Sequence, residues 1–139
     1  MTIKLKRAYE IPDPDDGYRV LVDRLWPRGI SKSDARIDAW LKDIAPTDAL
    51  RRAFHSGTLD WEGFRKRYLS EIEAHHEILV PLVQRSRNER VTLVFSAKDV
   101  ARNNAVVLRQ YLDGLAVELS ATQNTTPGTG IGAVPGELP

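Results

Sequence analysis

No cysteine occurs in the chain, which removes disulfides, thiolate metal sites and a cysteine nucleophile together and fits a reducing compartment. A long hydrophobic run is also missing. The longest apolar stretch, Ile78 to Val83, falls far short of the roughly 18 residues needed to span a bilayer. The opening MTIKLKRAYE alternates lysine with apolar residues and has no apolar core of a secretory signal. An excess of one charge is absent too: 20 Lys and Arg face 19 Asp and Glu, for a net charge of +1. Electrostatic recognition of nucleic acid or an anionic surface must therefore come from local clustering. The expectation is a soluble cytoplasmic protein with no membrane partner.

What is present describes one globular domain. At 139 residues the chain can bury a real core without staples. Hydrophobic residues at 42% and charged residues at 28% match globular averages and indicate neither general disorder nor a coiled coil. Ile3 and Leu5 alternate with Lys4 and Lys6, the period of a half-buried strand. IPDPDDG at Ile11 to Gly17 is a loop by its proline, aspartate and glycine content. YRVLVDRL at Tyr18 to Leu25 predicts a strand buried on both faces, and RVTLVFS at Arg90 to Ser96 predicts a second.

Between these strands, Ser31 or Ser33 suits the cap of a short helical turn. Ile37, Ala39 and Leu41 follow at period two, which favours an extended segment over the helix that Ile37, Trp40, Leu41 and Ile44 also permit. Thr47 is a fitting N-cap for DALRRAF. From Asp60, the steps Trp61, Phe64, Tyr68, Ile72, His75 and Leu79 predict one long amphipathic helix, ended or kinked at Pro81. NAVVLRQYLDG predicts another, with Gly114 near its C-cap. Residues 122–139, rich in Thr, Gly and Pro, predict a disordered tail behind a domain of residues 1–121. Strands alternating with helices make the fold class α/β, a single compact domain with a small, largely parallel sheet flanked by helices.

Two strands end in unusual polar sequence. The first gives Asp23, Arg24, Trp26, Pro27, Arg28 and Gly29; the second gives Ser96, Lys98 and Asp99. Parallel strands would place both clusters on one rim, where open α/β sheets hold their ligands. Arg24 and Arg28 offer forked donors for phosphate or carboxylate, and Lys98 adds a point charge. The indole of Trp26 suits stacking on a flat ring. The Pro27–Gly29 bend would stiffen the loop, and amides from Asp99 to Asn104, at the next helix start, favour an anion. The plainer reading pairs Asp23 with an arginine, puts Trp26 in the core and leaves Pro27 and Gly29 to turn the chain.

Other signals are weaker. Adjacent His75 and His76 point about 100° apart on a helix and do not chelate as an i, i+4 pair does. His55 suits a general base, but more readily a helix C-terminal partner. Ser96 as a nucleophile needs a base that the sequence does not identify. GTGIGA at Gly128 to Ala133 lacks dinucleotide-loop spacing, and DPDDG fails as a calcium loop because Arg24 stands where a glutamate is required. In FRKRYL, Phe64 and Tyr68 fall on the core stripe and the basic residues on the solvated one, which disfavours a nucleic-acid helix.

DGYRVLVDRLWPRG, DIAP with LRRAFH, and SAKD followed by NNAVVL are long, ordered words. Through them the chain resembles the YeaO-like proteins of the bacterial family designated domain of unknown function 488, from about Ile3 to Leu119. The resemblance implies a compact cytosolic α/β domain of bacterial type and supplies no substrate or mechanism. Its words contain Asp23, Arg24, Trp26, Pro27, Arg28, Ser96, Lys98 and Asn104, the rim already selected.

The functional expectation is a small binder, or an enzyme, of a phosphorylated or nucleotide-like anion, with no metal or cofactor called for. Arg24, Trp26, Arg28, Asp99 and Asn104 are its candidate ligand-binding residues; Asp23, Ser96 and Lys98 are its candidate catalytic residues, with Asp23 orienting an arginine or acting as a base. The alternative is a non-enzymatic nucleic-acid-binding module on the same rim.

Overall fold

The computed structural model describes residues 3–122. Four strands, β1 (Ile3–Arg7), β2 (Tyr18–Leu21), β3 (Ala39–Trp40) and β4 (Val91–Phe95), form one sheet in the order β1-β4-β2-β3. All three pairings are parallel. The helices are α1 (Lys32–Ala35), α2 (Asp48–His55), α3 (Trp61–Glu73), α4 (His76–Ser86) and α5 (Asn104–Thr122). The fold class is α/β. Among the described residues no helix is long and apolar enough to cross a membrane, and the expected tail lies outside them apart from Thr122, which ends α5.

Strand β4 is the last strand in sequence yet sits second in the sheet, with Leu93 registered against Leu5 on one side and Val20 on the other. Every residue of β2 and β4 is buried. Side chains on both faces therefore need apolar partners, which is why these strands read as continuous hydrophobic runs. One face carries Val20, Leu93 and Phe95 against Leu50 of α2, Tyr68 and Ile72 of α3, Leu82 of α4 and Leu108 of α5. The opposite face packs Leu21 and Val94 under Ala35, Ile37 and the rings of Trp26 and Trp40.

The capping residues act as the sequence suggests. Ser31 accepts the amide of Asp34 at 3.1 Å, and Thr47 accepts that of Leu50 at 3.3 Å. Ile37, Ala39 and Leu41 are buried, as an extended segment requires, although ordered pairing is confined to Ala39–Trp40.

Three boundaries differ from the sequence reading. Strand β2 stops at Leu21 instead of Leu25, because the chain turns away at Asp23. The long helix breaks at Ala74–His75, where both amides make tight i−3 bonds to Glu71 and Ile72, and Pro81 is accommodated inside α4. That break redirects the chain so that Leu79, Leu82 and Val83 reach the same core as Ile72. Helix α5 runs through Gly114 without ending, and a β-carbon there would meet nothing within 4 Å.

The acidic loop hides a structural hub. Asp16 is fully buried and receives Lys4 at 2.9 Å, Lys6 at 3.1 Å and Arg19 at 2.6 Å. Arg19, also buried, donates twice more to the carbonyl of Ala35 and so anchors α1 over the sheet. Burial alone would raise the Asp16 pKa. The donors of Lys4, the Asp13 backbone, Lys6 and Arg19 more than offset it, holding the carboxyl well below the usual carboxylate range.

Candidate functional site

At the carboxyl edge of the sheet, β2 and β4 stay side by side as far as the bond from Val22 N to Val94 O at 3.1 Å, then diverge. The gap between their following loops opens a cavity of about 600 Å³, within the range of small-ligand sites. Asp23, Arg24, Trp26, Arg28, Ser96, Lys98, Asp99 and Asn104, all eight candidates, line it.

Asp23 occupies the centre. Its Oδ2 accepts the Ser96 amide at 2.8 Å, and its Oδ1 accepts Asn104 Nδ2 at 3.1 Å. Its backbone carbonyl takes the indole N–H of Trp40 at 2.7 Å. The carboxylate thus joins the end of β4 to the start of α5 and, among the described residues, pairs with no arginine, contrary to the orienting role expected for it. Burial pushes its pKa up, opposed by the donors of Ser96 and Asn104. The Ser96 hydroxyl oxygen is buried beside the Asp23 carboxylate but makes no hydrogen bond of full geometry.

Three further side chains fix the walls. Arg24 donates to the carbonyls of Pro46 and Ala45, both at 3.2 Å, and Tyr68 donates to Ile44 at 2.6 Å, so the loop before α2 is held from both sides. Arg7 donates to Ala97 O at 2.9 Å and Ser96 O at 3.2 Å. Trp26 donates to Ile30 O at 2.7 Å and meets Trp40 edge-on at 5.4 Å, so its ring is built into the wall. Gly29, at φ 77°, supplies the left-handed backbone that turns this loop back.

Arg28 and Lys98 are different. Both are exposed at the mouth, and neither side chain has an ion-pair partner among the described residues. Asp99 is tied down by the amides of Ala101 and Arg102 at 2.9 and 3.0 Å, which lower its pKa. Asn103 caps α5 through Val106 N at 3.1 Å, so the positive end of a 19-residue helix abuts the cavity.

The sequence reading missed the contribution of α2 and its surroundings. Arg51, Phe54 and His55 line the cavity, as do Tyr9, Phe64 and Arg102. Phe54 and Phe64 stack at 4.4 Å and give it an apolar wall. Arg51 contacts Asp48 at 3.4 Å while its Nε–H is buried without an acceptor. LRRAFH carried the signal, since Arg51, Phe54 and His55 fall on one helical face. In all, five cationic side chains, Arg24, Arg28, Arg51, Lys98 and Arg102, face two carboxylates, Asp23 and Asp99. Among the described residues no group of three or more His, Cys, Asp or Glu could hold a metal.

Residues 2–128 match the family model described as the inactive DUF488-N3 subclade. The chain is 44% identical over 115 residues to the uncharacterized protein YeaO of Escherichia coli, a match covering 83% of this chain and 100% of that protein. An uncharacterized protein of Mycobacterium tuberculosis is 42% identical over 112 residues, covering 81% of this chain and 94% of the relative. No solved structure matches the chain significantly.

Proposed function

The chain belongs to the inactive DUF488-N3 subclade, and on that premise we propose that it is a non-catalytic binding domain for a small phosphorylated or nucleotide-like anion. The observation that carries this reading is the pairing of five cations against two carboxylates around one cavity with a stacked aromatic wall. An anion gains from the cations and from the amino end of α5, while a flat or apolar portion gains from Phe54 and Phe64. Arg28 and Lys98 carry the recognition, because they have no structural duty to surrender.

Binding without turnover suits the chemistry on view. Burial raises the pKa of Asp23, but both of its carboxylate oxygens are engaged by donors that join the two loops, so it is committed to a structural role. Lys98 is exposed and serves better as a charge for an anion than as a nucleophile, whose activation calls for desolvation.

Thermal denaturation of the full chain against nucleotides and sugar phosphates tests this, since a ligand selective for the folded state raises the apparent Tm by mass action. Nucleotides are expected to raise it, and Arg28→Ala and Lys98→Ala to weaken their binding about tenfold each, as loss of a charge-assisted contact implies. A shift unchanged in both variants, or no shift with any phosphorylated compound, overturns the reading.

A further inference from the structure

The mouth of the cavity is apolar as well as cationic. Among the described residues five large hydrophobic side chains are notably exposed, and three stand here: Tyr9 at 48%, Leu25 at 62% and Val100 at 65%. Tyr9 and Leu25 line the cavity, and Val100 lies in the loop between Lys98 and Arg102. A free metabolite seated inside would leave this rim in water. A chain laid across the mouth would cover it.

Tyr9 is also held in place. Its hydroxyl donates to the Arg28 carbonyl at 3.1 Å, and the Arg7 guanidinium lies 5.2 Å from the ring centroid. A fixed, half-exposed ring beside Arg28 and Lys98 combines the two elements by which proteins hold unpaired nucleic-acid strands: a stacking platform and a line of cations. Paired bases offer no such face, because their rings are stacked within the duplex.

We propose that this mouth binds single-stranded nucleic acid, with one nucleotide entering the cavity and a neighbouring base stacking on Tyr9. Arg28, Lys98 and Arg102 neutralise the flanking phosphates, while Leu25 and Val100 contact the sugar and base edges. The inference rests on the reading of the cavity as a nucleotide-like site and names the polymer as its source.

Fluorescence anisotropy of the full chain with labelled DNA and RNA strands of about twelve nucleotides tests it, since such a length covers common single-strand sites. Single strands are expected to bind at least tenfold more tightly than mononucleotides, which compete for the same site, and more tightly than duplex. Log affinity should fall with log salt at a slope of about −2, as three neutralised phosphates imply. Tyr9→Ala should weaken strand binding about tenfold and mononucleotide binding little. Lys98→Glu, at an exposed position, should weaken both. Mononucleotide binding without tighter strand binding overturns this inference and leaves the cavity reading intact; binding of neither overturns this inference, and the cavity reading falls with it when sugar phosphates also fail to bind. Equal affinity for duplex, for strands after Tyr9→Ala, or for a polyglutamate peptide also overturns it.

Discussion

The carboxylate of Asp23 accepts a hydrogen bond from the side-chain amide of Asn104 at 3.1 Å, joining residues 81 positions apart. The same carboxylate holds the Ser96 amide, so one side chain sets the spacing between the two loops that frame the cavity. Asp23→Ala should lower unfolding stability by about 2 kcal/mol, because two donors lose a charged acceptor. Urea denaturation measures this. Since burial raises its pKa, ionisation of Asp23 is a cost to the folded state as pH climbs through the raised value.

Asp16 has the opposite sign. Its pKa is lowered by three cations and a backbone amide, so the unfolded chain binds more protons and the contribution of Asp16 is fully present above the ordinary carboxylate value. It is lost as pH falls toward the lowered folded value. Asp16→Asn should cost about 4 kcal/mol near neutrality by leaving buried Arg19 without its charge partner. Stability measured from neutral pH into acid should fall less steeply in the variant.

Arg7 fastens the loop after β4 without lining the cavity. Arg7→Ala should weaken phosphorylated-ligand binding several-fold by loosening Ser96 and Ala97, since a ligand must then order what the protein had already fixed. Calorimetric titration of the variant, with its fold checked by circular dichroism, gives the result. An unchanged affinity would show that the loop keeps its place by other means.

Gly17 combines a φ of 63° with a close approach to the backbone carbonyl of Arg90, which a β-carbon would strike. Tyr18 N donates to that same carbonyl at 2.8 Å, so the chain cannot simply move away. Gly17→Ala is expected to cost about 3 kcal/mol, from strained backbone and displacement together. Chemical denaturation compared with Gly114→Ala, where space is open and the helix favours alanine, separates the effect from a generic one.

The rim was legible because its logic is one-dimensional. Two apolar runs announce strands, polar residues follow each, and parallel pairing brings Arg28 and Lys98 to one edge. Arg51, Phe54 and His55 share a helical face that the sequence shows, but that this face turns toward the rim depends on how α2 settles against α3, which local periodicity does not encode. Asp16 was read as part of a solvated turn; its burial requires Lys4 and Lys6 to project from the far side of β1, a relation between segments. The interruption at His75 escaped notice because the apolar spacing continues across it. Pro81 was the visible breaker, and core packing overrode it.

The position of β4 between β1 and β2 has a consequence for how the molecule is made. During synthesis the amino-terminal segments emerge first, yet Leu5 has no neighbouring strand, and Val20 only the two-residue β3, until Leu93 leaves the ribosome. The sheet therefore closes late and across long sequence separations, the slow route to a native structure. Nascent chains ending before residue 95 should remain protease-sensitive and dependent on chaperones, with two apolar ribbons waiting for the segment that fits between them.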